Sequence, residues 1–303
     1  MLHQSKELLD AVFAPIRLDE AFPVSSPDHT LRAEVPIEAH VHDCFEIGYC
    51  YRGSGIFIVE NKFLSFQAGD AVVVNHRELH TMKGSPGSLT DWYFVNLAPA
   101  ELLAGIVRED SAMLSTGHFS GPEFNNVLAA EKHPELCNSI RRTIDELLYR
   151  REGYHSAVRA LVWEMMVLLH RILPADGEAG LAPGPVSRDK LALVTPAIRL
   201  ITRNYHEPIS IEALAEKCGY SCSNFRKTFH AATGYSPQDY LKRLRLEAVS
   251  SMLRNTDEDI LSIALKSGYA TLSNFNRQFQ AHFGMSPREW RAKENGTPSR
   301  PAK

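Results

Sequence analysis

The segment HVHDCFEIGYCYRGSG sets His40 and His42 two residues apart, Glu46 four further on and Gly53 seven beyond that. Imidazole nitrogens and a carboxylate in so short a span have three uses. They can ligate a catalytic divalent metal, hydrogen-bond a small molecule, or satisfy one another inside a fold. Which use applies depends on the elements that carry them and on what the rest of the chain does.

At 303 residues the chain exceeds one ordinary core and accommodates two. An apolar content of 44% with 23% charged residues fits a soluble globular protein and excludes fibrous and disordered classes. The most apolar stretch, AVRALVWEMMVLLHRIL, is interrupted by arginine, glutamate and histidine, so no membrane span is expected. MLHQSKELLDAVF lacks the basic start, apolar block and small-residue site of a signal peptide. The five cysteines (44, 50, 137, 218 and 222) form no C-x-x-C pair and read as free thiols in a reducing, cytoplasmic compartment. Charge is divided unevenly. From residue 190 onward there are 17 Lys+Arg against 10 Asp+Glu, while the preceding residues carry 16 against 26. An acidic module joined to one that meets a polyanion is the expected organisation.

PADGEAGLAPGPVS has no apolar periodicity and reads as an exposed linker over 174–189, dividing a domain at 1–173 from one at 190–295. In the first domain, FEIGYCY, GIFIVE, FLSF, AVVVN and WYFVNL are strand-like runs separated by RGSG, ENK, QAGD and KGSPGS, the pattern of a small antiparallel barrel or sandwich. Two helices follow, one with Val158, Leu161, Val162, Met165, Leu168 and Leu169 at helical spacing. That stripe must bury on the β-structure or on a partner subunit.

The second domain repeats itself. At an offset of 49, Ile211, Ala215, Gly219 and Tyr220 match Ile260, Ala264, Gly268 and Tyr269; at an offset of 50, Phe225, Phe229 and Gly234 match Phe275, Phe279 and Gly284. Each copy is a capped short helix (Ser210 or Asp259), a glycine turn and a second helix ended by glycine, which is a helix-turn-helix. The outward face of the second helix carries Ser223, Arg226 and Lys227 in one copy and Leu272, Ser273, Asn274, Asn276 and Arg277 in the other. Arginine can fork onto guanine, asparagine onto adenine, and an apolar tip can touch a thymine methyl, so these are residue types for reading double-stranded DNA. Leu241, Leu244, Ala248 and Met252 predict one continuous helix joining the copies. Held about 34 Å apart, the two units would enter successive major grooves.

Residues 190–293 resemble the double helix-turn-helix domain of the AraC/XylS family of bacterial transcription regulators, on SIEALAEKCGYSCSNFRKTFHAATGYSPQDYLKRLRLEAVSSML, then ILSIALKSGYATLSNFNRQFQAHFGMSPREWR. The resemblance implies that Ser210 and Asp259 lie toward phosphates, where an aspartate would be repelled. It also implies an N-terminal cupin-like β-barrel that binds a small effector. His40, His42, Glu46 and Gly53 match the first cupin motif, and QAGDAVVVNHRELHTM resembles the second with Gly69, Asp70 and His80. In cupin enzymes such residues bind a divalent metal, but NHREL departs from the enzymatic turn, and no cofactor and no catalytic residue are expected here. His40, His42, Glu46 and His80 remain the set a metal would use, and the same groups can bind hydroxyls directly. Arg52 aligns with a sugar-contacting arginine of the arabinose-responsive member, His80 with a ligand-proximal histidine, and Trp92 and Phe94 fall near its pocket residues.

The fold class expected is α+β in two domains: a cupin-like barrel with helices, then an all-α double helix-turn-helix. The function expected is a dimeric, effector-responsive activator contacting DNA and RNA polymerase. Its effector would be a carbohydrate bound by His40, His42, Glu46, Arg52, His80, Trp92 and Phe94. A metal-dependent cupin enzyme with a helical interaction module, and a regulator that needs no effector, are the alternatives.

Overall fold

A computed structural model of the chain describes residues 13–14, 16–32, 38–173 and 188–294. The linker expected at 174–189 falls outside these over 174–187, and residues 188 and 189 belong to the helix that follows it. Among the described residues, eight antiparallel strands build the N-terminal domain: β1 (Asp28–Arg32), β2 (Phe45–Arg52), β3 (Ser54–Val59), β4 (Lys62–Gln67), β5 (Ala71–Val74), β6 (His80–Gly84), β7 (Thr90–Leu97) and β8 (Val127–Leu128). They form two sheets, β1-β7-β2-β5-β8 and β4-β3-β6, packed face to face. The expected barrel is therefore open, a two-sheet sandwich. The reason lies at Gly53 (φ +88°), a one-residue corner between β2 and β3 after which each strand pairs with different neighbours.

Alternation along the strands assigns every layer. Phe45 and Ile47 of β2, with Val73 and Val95, point away from the sandwich interior and meet α2 (Pro134–Tyr149) and α3 (Tyr154–Arg171), which follow the short α1 (Pro99–Leu102). The stripe predicted on α3 covers this chain's own sheet. Val158, Leu161, Val162, Met165 and Leu169 are buried, and Leu168 is half-buried. Between the sheets lie Phe57, Phe66, Met82, Trp92 and Phe94.

The C-terminal domain comprises α4 (Arg188–Asn204), α5 (Ile211–Lys217), α6 (Cys222–Thr233), α7 (Pro237–Asn255), α8 (Ile260–Lys266), α9 (Leu272–Phe283) and α10 (Pro287–Glu294). Both predicted caps are present, Ser210 accepting from Ala213 N–H and Asp259 from Ser262, and the second helix of each unit is capped too, Ser221 accepting from Asn224 and Thr271 from Asn274. The Asp259 carboxylate is thus committed to its own helix. α7 is continuous, with Leu244 and Ala248 in the core of the first unit and Leu246, Val249 and Leu253 in that of the second.

The domains share a core. Ile56 and Ile58, on the outer face of β3, join Ala39, Val41 and Leu79 in one apolar cluster with Ile198 and Ile201 of α4 and Tyr240 and Leu244 of α7. Phe63 of β4 meets Tyr240 edge-on at 4.6 Å, and Lys83 Nζ of β6 donates to the Arg203 carbonyl at 2.9 Å. Each isoleucine buried this way contributes about 1.5–3 kcal/mol.

Gly268 ties the second unit to the end of α4. Its φ is +85°, and a Cβ there would sit 2.8 Å from the His206 carbonyl and 3.0 Å from the Arg245 guanidinium. That guanidinium donates to the Tyr205 carbonyl at 2.6 Å and the Glu207 carbonyl at 2.9 Å. Gly268→Ala is expected to lower unfolding stability by about 2 kcal/mol or more, read as a lowered thermal midpoint of the full chain.

Candidate functional site

The alternation that buries Phe45 and Ile47 against the helices turns Glu46 toward the sandwich interior, where it is only 4% exposed. His80 opens β6 and is equally buried, and the segment carrying His40 and His42 crosses beside it. A pair of backbone hydrogen bonds between His40 and His80 (3.0 and 3.1 Å) holds the two elements together. Three imidazoles and one carboxylate therefore converge. Ring centroids lie 4.3 Å apart for His40–His80, 4.6 Å for His40–His42 and 5.0 Å for His42–His80. His42 Nε2 is 2.8 Å from Glu46 Oε2, and His80 Nε2 is 3.5 Å from Glu46 Oε1. Neither nitrogen is aligned as a directed hydrogen bond.

The other ring nitrogens are occupied. Nδ1–H of His40 donates to the Glu38 carbonyl at 2.7 Å, that of His80 to the Glu78 carbonyl at 2.9 Å, and that of His42 to the Ala14 carbonyl at 3.4 Å. Burial, then the neighbouring His40, pushes the His80 pKa down to about 3, so this ring is neutral at physiological pH. Burial likewise lowers His40, with His42 adding to the effect. For His42 burial opposes the charged form, but the adjacent Glu46 carboxylate outweighs it and the pKa is raised. Burial would raise Glu46, yet contact with His42 and the other imidazoles holds it below the ordinary carboxylate value.

These groups line a cavity of about 280 Å³ together with Ser25, Asp28, Thr30, Asn96, Phe57 and Phe94. Of the effector residues expected from sequence, His40, His42, Glu46, His80 and Phe94 meet here. Arg52 and Trp92 do not. Cys50 pairs with Trp92, but the register shifts so that Arg52 pairs with Asp91, and this bulge turns the Arg52 side chain outward to solvent. Trp92 is fully buried between the sheets, edge-on to Phe66 at 5.0 Å, so it is core. Asp70 serves a turn, accepting from Gln67 and Ala130 N–H at 2.9 and 3.0 Å. Ser25, Asp28, Thr30 and Asn96 carry no local motif. The signal available was the alternation of β7, which sets Asn96 two residues from Phe94 on one face.

On α6, Ser223, Arg226 and Lys227 are solvent-exposed, as are Leu272, Ser273, Asn276 and Arg277 on α9, while Phe225, Phe229, Phe275 and Phe279 are buried beneath them. Asn274 is half-buried, and its Oδ1 accepts from Arg277 and Gln278, both at 3.0 Å. Sequence reasoning stopped one turn short. His230 and Gln280 are exposed seven residues beyond Ser223 and Ser273 on the same faces.

Two family models match the chain: an AraC-like ligand binding domain over residues 34–166 and a helix-turn-helix domain over 214–293. Among curated relatives, the HTH-type transcriptional activator RhaS of Escherichia fergusonii is 24% identical over 275 residues, covering 89% of this chain and 94% of that one. RhaS of an Enterobacter species is 24% identical over 254 residues, covering 83% and 86%. Among solved structures, an AraC-type DNA-binding domain regulator from Chromobacterium violaceum shares 30% identity over 34% of this chain and 91% of its own, with a TM-score of 0.32. Fatty-acid-bound ToxT from Vibrio cholerae shares 13% identity over 94% of this chain and 100% of its own, with a TM-score of 0.35.

The pocket wall at Phe94 depends on a residue without a side chain. A Cβ on Gly48 would lie 2.6 Å from the Phe94 ring and 2.9 Å from Val72. Gly48→Ala is expected to displace Phe94 and cost about 1–3 kcal/mol of stability, measured by chemical denaturation.

Proposed function

Because the chain belongs to the AraC family of transcription regulators, we propose that it is a cytoplasmic activator whose DNA-binding domain is controlled by a small hydroxylated effector of the carbohydrate class. The observation that carries this reading is a segment with two faces. His40 and His42 face the cavity, whereas Ala39 and Val41 pack in the cluster that holds α4 and α7. Arg199 of α4 donates to the Ala39 carbonyl at 2.7 Å and pairs with Glu38 at 3.3 Å. An effector that repositions the histidines thereby shifts the balance of domain arrangements at α4. Sugar hydroxyls, each donor and acceptor, find partners in Ser25, Thr30, Asn96 and the imidazoles and a pure acceptor in Asp28, and the C–H faces of a sugar ring find Phe57 and Phe94. His40, His42, Glu46, His80 and Phe94 are the effector residues retained; Asn96 joins them.

For DNA, Ser223, Arg226 and Lys227 of α6, and Leu272, Ser273, Asn276 and Arg277 of α9, read base edges, with His230 and Gln280 extending each face. Asn274 acts through Arg277. Paired copies of the chain would place four such helices on an operator, and contact with RNA polymerase would follow from binding beside a promoter. Among the described residues no helix is long and apolar enough to cross a membrane.

Two measurements test this. A thermal-shift screen of sugars on the full chain should find a stabilising compound. Asn96→Ala should abolish its effect while Arg52→Ala retains it; a compound lost with Arg52→Ala alone would displace the pocket assignment. In selection from random-sequence DNA, Arg226→Ala and Arg277→Ala should each weaken binding by about 1–3 kcal/mol and relax preference at one base position. Unchanged preference in both variants would refute the recognition-helix assignment.

A further inference from the structure

We propose that His40, His42 and His80, with Glu46, bind a divalent transition-metal ion, and that the ion, by fixing the segment on which α4 rests, makes DNA binding metal-responsive. One ring nitrogen from each histidine lies within 4.8 Å of those of the other two. Metal–nitrogen bonds of about 2.1 Å set neighbouring ligand atoms about 3.0–3.4 Å apart, so the rings close by up to about 1.5 Å, through side-chain rotation, to complete the set. The cluster has the support that metal-ligating histidines show. Each Nδ1–H donates to a backbone carbonyl, which fixes ring orientation and leaves Nε2 as the ligand atom. His42 Nε2 and His80 Nε2 are buried, without a directed hydrogen-bond partner, and aimed at the same carboxylate. Among the described residues, the only basic groups within ion-pair distance of Glu46 are these imidazoles. No lysine or arginine lies there among the described residues, so imidazoles alone face this carboxylate, and an entering cation would meet one carboxylate oxygen and the ring nitrogens together. Three imidazoles and a carboxylate suit Zn, Ni, Co or Fe rather than Mg or Ca.

Coupling to DNA follows from where the ligands sit. His80 and Glu46 belong to the two sheets, whereas His40 and His42 belong to the crossing segment. An ion shared among the four pins that segment, and with it the Ala39 carbonyl and Glu38 that hold Arg199 of α4. Residues 13 and 14 are drawn in too, since Ala14 N–H donates to the Val41 carbonyl at 2.9 Å and Phe13 bridges Val41. This regulatory step rests on the domain coupling proposed above; the ion site itself does not.

The test uses the full chain, stripped with a chelator and titrated with Co(II) and separately with Zn(II). Expected are one ion per chain by elemental analysis, visible Co(II) absorption bands of an imidazole-rich site, and a raised thermal midpoint. His40→Ala and His80→Gln should each weaken binding about 100-fold or more, while their midpoints in chelator stay near the parent's and so report intact folding. Arg52→Ala, on a side chain turned outward from the cavity, should keep the ion. Less than about 0.2 ion per chain, or uptake unchanged by both histidine variants, would overturn the site. Using a DNA fragment selected by the full chain, Zn(II) should change the apparent Kd about tenfold, and not in His40→Ala. Equal affinity with and without the ion would overturn the metal-responsive part. A chain that takes no ion yet selects a DNA sequence leaves the regulator reading standing, and one that selects no DNA in either state removes it.

Discussion

Strand β3 has no face toward solvent, and the rest of the molecule is arranged around that fact. Phe57 and Val59 pack against the large sheet, while Ile56 and Ile58 pack against α4 and α7. A three-stranded sheet that left its outer face open would expose an apolar patch of the kind soluble chains seldom keep. Here the cover is the DNA-binding domain itself. Sensor and reader are thus two sides of one small sheet, and a change in the sandwich that alters β3 or its neighbours is felt by the helices that orient the reading heads.

The site obeys the same logic at higher electrostatic cost. A carboxylate buried among imidazoles is tolerable only because each neighbour is oriented by a backbone carbonyl and because the group contacts two rings at once. A hydroxyl or a cation entering there, as proposed above, would add to what the two rings alone give that carboxylate.

Which parts were legible in the sequence follows from how local each signal is. Caps, glycine turns and the doubled helical unit are encoded within spans of a few tens of residues, so Ser210, Asp259, Gly219 and Gly268 could be placed without knowing anything distant. The His40–His42–Glu46 motif was legible for the same reason. Arg52 was not, because a one-residue register shift after Cys50 decides which side it faces, and that shift is set by pairing with β7 some forty residues away. Trp92 faces inward beside Phe94, but depth within the sandwich is a property of two sheets together, which a resemblance at one position does not carry. The docking of α4 and α7 left no trace at all, since buried isoleucines in β3 look alike whether they face a strand or a helix.

The hydrogen bond from Arg277 to Asn274 on α9 bears on how the recognition face proposed above would discriminate. The guanidinium is not idle before DNA arrives; it already has an oxygen acceptor on its own helix. A base edge must offer a better one to draw it away, and guanine, with two acceptors in line, does so where adenine and thymine offer one and cytosine a donor. An Arg277 that reads bases as proposed would therefore carry an internal competitor that every sequence must outbid, and wrong bases would be rejected by leaving the arginine where it was.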